Sequence, residues 1–331
     1  MQPVKLGIIG CGIAAKELHW PALNELKDQF EITLICNHTE GKAKAFSQLI
    51  GNVPYVLDYR ELLQSPDVEA VDIILPIDLN YKVTKEALQA GKHVMVEKPL
   101  ASNLSEAKEM LSFERQFTQV KMVAENFRYH PIFYKVKSYI DDGKIGEPYG
   151  VIWDIFHFID EIKNKFAQTK WRIDHKYPGG FITDGGIHNI AALRVLFGDI
   201  ISGSAFTKSV NPKIGEMDTF SFQFLTPGNI HGVLNIFLSV NGFSQNQLYV
   251  LGKEGTILIK DLSEITLKTA KEELCENVEG SLGYKEEFED FYKAIRTGKN
   301  VTSSFEQAYR DLEVMINALQ SAERWPEFEL N

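Results

Sequence analysis

The sequence predicts an α/β protein in which an N-terminal, doubly wound parallel sheet precedes an α+β domain with a large, mostly antiparallel sheet. Over residues 1–125, short apolar runs alternate with helical stretches, an order typical of parallel strands joined by helical crossovers. In residues 126–331 the pattern changes, and Phe220, Phe222 and Phe224 alternate with polar residues, as in an antiparallel strand with one covered face. We therefore predict two domains, 1–125 and 126–331.

The bulk composition narrows the class of protein. The 331 residues are 44% hydrophobic and 24% charged, which suits two globular domains with their own cores. A net charge of −10 argues against nucleic acid or an anionic membrane as the partner, because both attract basic surfaces. Cys11, Cys36 and Cys275 form no CxxC pair, so we expect no disulfide framework, no metal site and a reducing, cytoplasmic setting. We also expect no signal peptide and no transmembrane helix.

Six strand-like runs define the first domain. They occupy residues 4–9, 31–36, 54–56, 70–75, 93–99 and 120–124. Helical stretches separate them, at residues 16–27, 41–51, 58–65 and 81–90 and from Ser102 onward. Six strands with helical crossovers predict a doubly wound sheet, whose ligands bind at the carboxyl ends of the strands.

The first strand leads directly into Gly10-Cys11-Gly12-Ile13-Ala14-Ala15, a GxGxxA pattern that opens a helix. In a dinucleotide site Gly10 makes the tight turn, Gly12 lets the backbone approach a pyrophosphate, and Ala15 permits close packing of helix on strand. The N-terminus of the helix supplies free N–H groups to the phosphates. We therefore predict that Gly10, Gly12, Ile13, Ala14 and Ala15 bind a dinucleotide.

The end of the second strand bears on the choice of dinucleotide. An acid there would bind the ribose 2′-hydroxyl of NAD, but this strand leads into Asn37, His38, Thr39 and Lys42. These neutral and basic side chains can accept a 2′-phosphate that a carboxylate would repel. We predict NADP(H) as the cofactor, with NAD(H) as the alternative because Asn37 can also bind a ribose hydroxyl.

The fifth strand ends in Glu97-Lys98-Pro99. A proline cannot extend the strand pairing and restricts the residue before it, so Lys98 is held at the carboxyl end of the strand. Taken alone, this glutamate and lysine also fit a solvated surface. We predict instead that Pro99 directs Lys98 towards a nicotinamide, with a cis peptide as one means of doing so.

The second half begins with a helix at residues 132–140 and a strand at 149–159. A hairpin is predicted at 248–251 and 256–259, and two helices follow at 284–296 and 305–324.

Asp184 and His188 lie four residues apart near the start of an apolar helix, so they share one face of it. We expect this face to be buried and the two side chains to pair with each other. Asp184 could instead cap the helix beside a structural His188, and zinc ligation lacks a third ligand.

The ordered motifs resemble the Gfo/Idh/MocA oxidoreductases, a family named for glucose-fructose oxidoreductase and inositol dehydrogenase. The residues in these motifs are most similar to those of fungal cytosolic NADP(H)-linked members. Many members carry Thr-Pro-Asn-x-x-His after the fourth strand, whereas this sequence has Asn80 in place of that histidine. The matching segments, in chain order, are 10–15, 19–23, 75–76, 90–94, 97–99, 126–131, 171–172 and 179–188.

The resemblance implies a Rossmann domain and a C-terminal sheet domain that covers the nicotinamide and forms a homodimer or homotetramer. It brings Lys98 together with Asp184 and His188. We expect His188 to exchange the hydroxyl proton, Lys98 to polarise the reacting oxygen and Asp184 to orient the substrate or the imidazole, with the first two roles interchangeable. Further cofactor contacts are expected from Leu75, Pro76, Asn80, Glu97, Lys98 and Asn126. Substrate contacts are expected from Arg128, Tyr129, Trp171, Arg172 and His188.

The predicted function is hydride transfer between NADP(H) and a sugar, polyol or related carbonyl compound. The expected partners are therefore a small-molecule substrate and further copies of the chain, and neither nucleic acid nor membrane. A non-catalytic dinucleotide-binding sensor on the same fold is the main alternative, because a fold does not determine function. A biliverdin-reductase-like activity is a more distant one.

Overall fold

The computed structural model describes residues 1–323, and the chain forms two compact units. The first combines Met1–Tyr129 with Ser281–Leu312, and the second combines His130–Gly280 with residues 313–323. The boundary predicted near residue 125 therefore differs from the structure in one important respect. Residues 281–312, part of the predicted second domain, belong to the first unit.

The first unit contains the predicted doubly wound sheet. Its strands are β1 (Val4–Ile9), β2 (Phe30–Cys36), β3 (Tyr55–Val56), β4 (Ala70–Ile73), β5 (His93–Glu97) and β6 (Lys121–Ala124). All neighbouring strands are parallel, in the order β3-β2-β1-β4-β5-β6. The predicted doubly wound parallel sheet is thereby confirmed, with every carboxyl end at the same edge.

Five helices connect these strands. They are α1 (Trp20–Glu25), α2 (Glu40–Leu49), α3 (Tyr59–Gln64), α4 (Ile77–Gln89) and α5 (Leu104–Gln116). A π-helical segment, Ala15–His19, precedes α1 and brings His19 to a fully buried position. The fifth helix was expected to open at Ser102, but Asn103 is its N-cap, and the Asn103 side chain accepts a hydrogen bond from the Glu106 N–H at 3.0 Å.

The second unit is built on a mixed, mostly antiparallel sheet. It contains the helices α6 (Pro131–Asp141), α7 (Lys170–Ile173) and α8 (Gly180–Phe197). Its strands are β7 (Pro148–Phe156), β8 (Ser202–Lys208), β9 (Thr219–Leu225), β10 (His231–Phe237), β11 (Gln245–Gly252), β12 (Gly255–Lys260), β13 (Glu264–Thr269) and β14 (Glu273–Asn277). The order is β14-β13-β12-β11-β7-β10-β9-β8, and only the β7–β10 pair is parallel among these described strands. The alternating residues Phe220, Phe222 and Phe224 are buried, as the pattern predicted.

The return of the chain to the first unit has a simple physical cause. Helix α9 (Tyr284–Thr297) is amphipathic, and its Phe288 and Phe291 are fully buried in the core that includes Phe30 of β2. The Phe288 and Phe30 rings meet edge to face, with centroids 5.7 Å apart. Helix α10 (Phe305–Ala322) follows. The sequence predicted this helix to reach Arg324, which lies outside the described residues. Nowhere in residues 1–323 does a helix have the length and apolar character needed to cross a membrane.

Candidate active site

The predicted cofactor residues lie where the parallel strands of the first unit end. Gly10 to Ala15 follow β1, Asn37 follows β2, Leu75 and Pro76 follow β4, and Asn126 follows β6. Glu97 is the last residue of β5, and Lys98 comes next. Because all six strands run in the same direction, these segments share one edge of the sheet.

The glycine-rich turn fits a dinucleotide. Gly10 has a φ of +111°, and a Cβ there would lie 2.0 Å from the carbonyl oxygen of Ile74, so only glycine is accommodated. A Cβ on Gly12 would meet nothing within 4 Å, which leaves its backbone open to a close ligand. Ala15 is fully buried in the core. These three positions have the properties that pyrophosphate binding requires.

Asn37 is held in one orientation. Its Oδ1 accepts a hydrogen bond from the Cys11 N–H at 3.2 Å, and its Nδ2 donates to the Thr39 carbonyl oxygen at 3.2 Å. A backbone N–H can only donate and a carbonyl can only accept, so the two contacts fix which amide atom is oxygen. His38, Thr39 and Lys42 are exposed beside it.

Lys98 lies in a turn that hydrogen bonds from the Asn80 and Glu97 side chains stabilise. The Lys98–Pro99 peptide is cis, and the Lys98 N–H donates to Glu97 Oε2 at 3.0 Å. Asn80 in α4 is fully buried and donates to the carbonyl oxygens of Glu97 at 2.7 Å and Pro99 at 2.9 Å. Asn80 was predicted to contact the cofactor, but both of these bonds support the turn that carries Lys98.

The structure also joins residues that the sequence analysis did not combine. His19 is fully buried, with Nδ1 2.8 Å from Asp72 Oδ2 and Nε2 3.0 Å from Glu97 Oε1. Asp72 is fully buried in the middle of β4. An acid inside an otherwise apolar strand requires a polar partner, and this was the available signal.

In the second unit, Asp184 and His188 both lie on α8, as predicted. The N-cap of this helix is Gly179, so Asp184 does not cap it. Asp184 is buried, and its Oδ2 accepts a bond from Arg172 Nε at 2.7 Å, a partner that the prediction did not include. His188 is half-buried.

Arg172 is supported on several sides. Its guanidinium carbon lies 4.0 Å from the centroid of the Trp171 ring and 5.0 Å from that of Phe166. Its Nη1 donates to Thr169 Oγ1 at 3.1 Å. The structure therefore brings Trp171, Arg172 and Asp184 together within the second unit, whereas Lys98 belongs to the first.

Three other predicted site residues make internal contacts in the first unit. Arg128 is buried, and its Nη2 lies 2.5 Å from Asp311 Oδ2. Tyr129 is buried and donates its hydroxyl to Asp290 Oδ2 at 2.8 Å, and Asn126 Nδ2 donates to the Leu282 carbonyl oxygen at 2.7 Å. These contacts bind residues 281–312 to the segment that follows β6, and the contacts of the three residues with substrate or cofactor stay predictions.

In residues 1–323, neither the cysteines nor the metal-ligating side chains form a further reactive or metal-binding site. All three cysteines are free thiols. Burial raises the pKa of Cys11 and of Cys36 to about 12, which keeps both thiols protonated at neutral pH. Within the described part of the chain, no three His, Cys, Asp or Glu side chains are arranged to hold a metal ion.

Comparison with known proteins identifies the family. A family model described as an oxidoreductase family with an NAD-binding Rossmann fold matches residues 4–125, and a GFO/IDH/MocA C-terminal domain matches residues 133–258. An oxidoreductase from Thermotoga maritima has a similar structure, with a TM-score of 0.91, 37% identity and coverage of 97% of each chain.

Two relatives are similar in sequence. Protein YMR315W of Saccharomyces cerevisiae is 31% identical over 89% of this chain and 88% of its own length. The dTDP-3,4-didehydro-2,6-dideoxy-alpha-D-glucose 3-reductase of Actinomadura kijaniata is 36% identical over 146 residues, 44% of this chain and 43% of its own. With the glycine-rich turn, the lysine-proline turn and both sheets in place, the chain belongs to the Gfo/Idh/MocA family of NAD(P)-dependent oxidoreductases.

Proposed function

We propose that this oxidoreductase prefers NADP(H) and transfers a hydride between the nicotinamide and a sugar, polyol or related carbonyl compound. The observation that carries the proposal is the position of Lys98 at the carboxyl end of β5. Strand β1, which ends at the glycine-rich turn, is parallel to β5 in the same sheet. A charged lysine at the ligand-binding edge, in a turn held by the buried Asn80 and the half-buried Glu97, suits a group that acts on bound molecules.

The proposed roles follow from the chemistry of alcohol oxidation. The bound nicotinamide supplies the hydride chemistry. The hydroxyl proton must leave during oxidation and return during reduction, and we assign this exchange to the imidazole of His188. We assign to the Lys98 ammonium a hydrogen bond to the reacting oxygen, whose developing negative charge it offsets. The reverse assignment between these two residues uses the same groups.

The second unit supports a polyhydroxylated substrate. Arg172 offers planar N–H donors, which suit hydroxyl and carbonyl oxygens, and Trp171 offers an aromatic face. Asp184 was predicted to orient the substrate or the imidazole. Because it accepts a hydrogen bond from Arg172, we propose that Asp184 orients Arg172. The similar reductase of Actinomadura kijaniata is named for a nucleotide-linked sugar, and this supports a sugar or a sugar-like compound.

The preference for NADP(H) is supported by the orientation of Asn37. Its oxygen is engaged by the Cys11 N–H, so the side chain presents an N–H donor and no free carboxylate to a ligand. Such a donor suits a 2′-phosphate, and the exposed Lys42 adds a positive charge. Glu40, the first residue of α2, is a carboxylate close to Asn37 in sequence. Its carboxylate accepts a hydrogen bond from the Tyr55 hydroxyl at 3.3 Å.

We further propose that the protein forms a homodimer or homotetramer and works in a reducing, cytoplasmic setting. Tyr149, Ile152 and Phe206 are exposed large side chains on strands of the eight-stranded sheet. Large apolar side chains exposed on this sheet support contact with another copy. Light scattering of the wild type and of Phe206→Glu tests this, and a monomeric wild type would contradict it.

Fluorescence titration with NADPH and NADH, followed by a panel of sugars, polyols and carbonyl compounds with the tighter cofactor, tests the proposed reaction. Lys98→Ala and His188→Ala should each lower turnover by at least about 100-fold while the cofactor Kd stays within about twofold. Lys5→Ala is the matched control and should leave turnover unchanged, because the Lys5 side chain is exposed in β1 and pairs with Asp67 on the surface. Full activity in both site variants would refute the roles, and binding without turnover on the whole panel would favour the sensor.

A further inference from the structure

The most unusual buried feature of the first unit is a hydrogen-bonded row of charged side chains. Asp72, His19 and Glu97 come from β4, the π-helical segment and β5. The His19 ring lies between the two carboxylates, at 2.8 Å from Asp72 and 3.0 Å from Glu97. The proposed reaction assigns no role to His19 or Asp72.

Glu97 connects this row to the lysine turn. One of its carboxylate oxygens faces His19, and the other accepts the bond from the Lys98 N–H at 3.0 Å. Rotation of the Glu97 carboxylate would therefore break both contacts at once. Asn80 fixes the same turn from the side of α4 through two carbonyl oxygens. The main chain on both sides of Lys98 is thus tied to buried side chains.

The protonation of His19 agrees with this arrangement. Carboxylates accept hydrogen bonds, so an imidazole between two of them donates in both directions only when it is doubly protonated. Burial alone would lower the pKa of His19, but the charges and hydrogen bonds of Asp72 and Glu97 outweigh it and raise the pKa well above 6.5. Burial raises the pKa of Asp72 from 3.8, and His19 opposes that rise.

The other groups that face the row come from the elements packed around it. Tyr284 and Glu287 lie on α9, and Glu125 follows β6. The Glu97, Glu125 and Glu287 carboxyl groups all help to raise the pKa of the Tyr284 hydroxyl, after burial. The Phe288 ring packs edge to face against the His19 ring, with the ring centroids 5.5 Å apart, and forms the apolar side of the row. The His19 ring is therefore surrounded by acidic and apolar side chains.

We propose that His19 is a positioning residue, which acts with Asp72 to hold the Glu97 carboxylate and thereby the backbone of Lys98. Its effect on catalysis rests on the proposed function, in which Lys98 contacts the reacting oxygen. Its effect on the turn does not, because the hydrogen bonds exist whatever the reaction. Residues that orient a functional side chain in this way commonly affect activity by about 10- to 100-fold.

The first experiment measures the turn without using activity. Amide hydrogen exchange is followed in the wild type and in His19→Gln, Asp72→Asn and Phe288→Leu. The Lys98 amide should exchange at least about tenfold faster in the first two variants, while the amides of Val94 to Val96 within β5 keep their rates. Phe288→Leu is the matched control for lost packing without lost charge, and the Lys98 amide should keep its rate there. Unchanged exchange at Lys98 in both His19→Gln and Asp72→Asn would overturn the proposal.

The second experiment is a double-mutant cycle on turnover. His19→Gln should lower kcat by about 10- to 100-fold with little change in the Kd of NADPH. Combined with Lys98→Ala, it should cause no further loss, because a residue that acts through Lys98 has nothing left to position. Additive losses would show a general structural role and overturn the catalytic part. If no substrate is found, the proposed reaction fails, while the exchange experiment still decides whether His19 holds the turn.

Discussion

Replacing Glu287 with glutamine should raise the free energy of unfolding, and the gain should grow as the pH rises. Glu287 is fully buried in α9, and within residues 1–323 neither carboxyl oxygen has a hydrogen-bond partner. Burial is the main cause that raises its pKa well above 4.5, while His19 opposes the shift and Glu97, Glu125 and Asp72 reinforce it. The carboxyl group therefore stays neutral in the folded protein at pH values where the unfolded chain ionises it.

The magnitude follows from proton linkage. Below pH 4.5 the folded and the unfolded chains both keep the proton, so Glu287 has no pH-dependent effect there. Above that pH only the unfolded chain releases it, and the folded state loses about 1.4 kcal/mol of stability per pH unit until the pH reaches the folded-state pKa. Glutamine has the shape of the neutral acid and no proton to release. Between pH 4.5 and the folded-state pKa, the advantage of the variant over the wild type in free energy of unfolding should therefore grow by about 1.4 kcal/mol per pH unit.

Urea unfolding, followed by circular dichroism and by tryptophan fluorescence between about pH 4.5 and 7.5, measures this difference. Trp20 of α1 reports on the first unit. Glu289→Gln is the matched control, because Glu289 is on the same helix, is only half-buried and pairs with Lys293, so its effect should stay within about 0.5 kcal/mol at every pH. A gain for Glu287→Gln that is independent of pH, or that shrinks as the pH rises, would refute the linkage argument.

Three further substitutions test other parts of the molecule. Asn37→Asp should weaken NADPH binding by at least about tenfold, or about 1.4 kcal/mol, and strengthen NADH binding in fluorescence titrations, and an unchanged preference would contradict the assigned role. Asn80→Ala should lower the free energy of unfolding in urea by about 2 to 4 kcal/mol, because two buried carbonyl oxygens lose their donor. Asp311→Asn should cost about 3 to 5 kcal/mol in the same assay, since it removes the negative charge that faces the buried Arg128 guanidinium, and a small loss would show that this pair is dispensable.

The first sheet is predictable from sequence because each strand has a local signal. Apolar runs such as β4 and β5 are short and bounded by helical stretches, and the glycine pattern after β1 identifies the edge where a ligand binds. The alternation in β9 equally predicts the buried face that Phe220, Phe222 and Phe224 form. These inferences need only neighbours in sequence, and the structure agrees with them.

The partners of helices and charged residues are harder to predict. The apolar stripe of α9 shows which face is buried, but a stripe does not name the surface that covers it. Arg128 looks like a ligand-binding residue in the sequence, and only the fold shows that Asp311, far along the chain, neutralises it. His19, Asp72 and Glu97 are likewise distant in sequence, so their hydrogen bonds depend on a tertiary structure that no local pattern contains.

The late position of α9 in the chain has a consequence for biosynthesis. A ribosome releases residues from the N-terminus, and the core of the first unit takes Phe288 and Phe291 from α9. The whole eight-stranded sheet lies between β6 and α9 in the sequence, so it is synthesised before that core can close. We therefore expect the nascent glycine-rich segment to remain incompletely packed, and exposed to chaperones and proteases, until α9 has been translated.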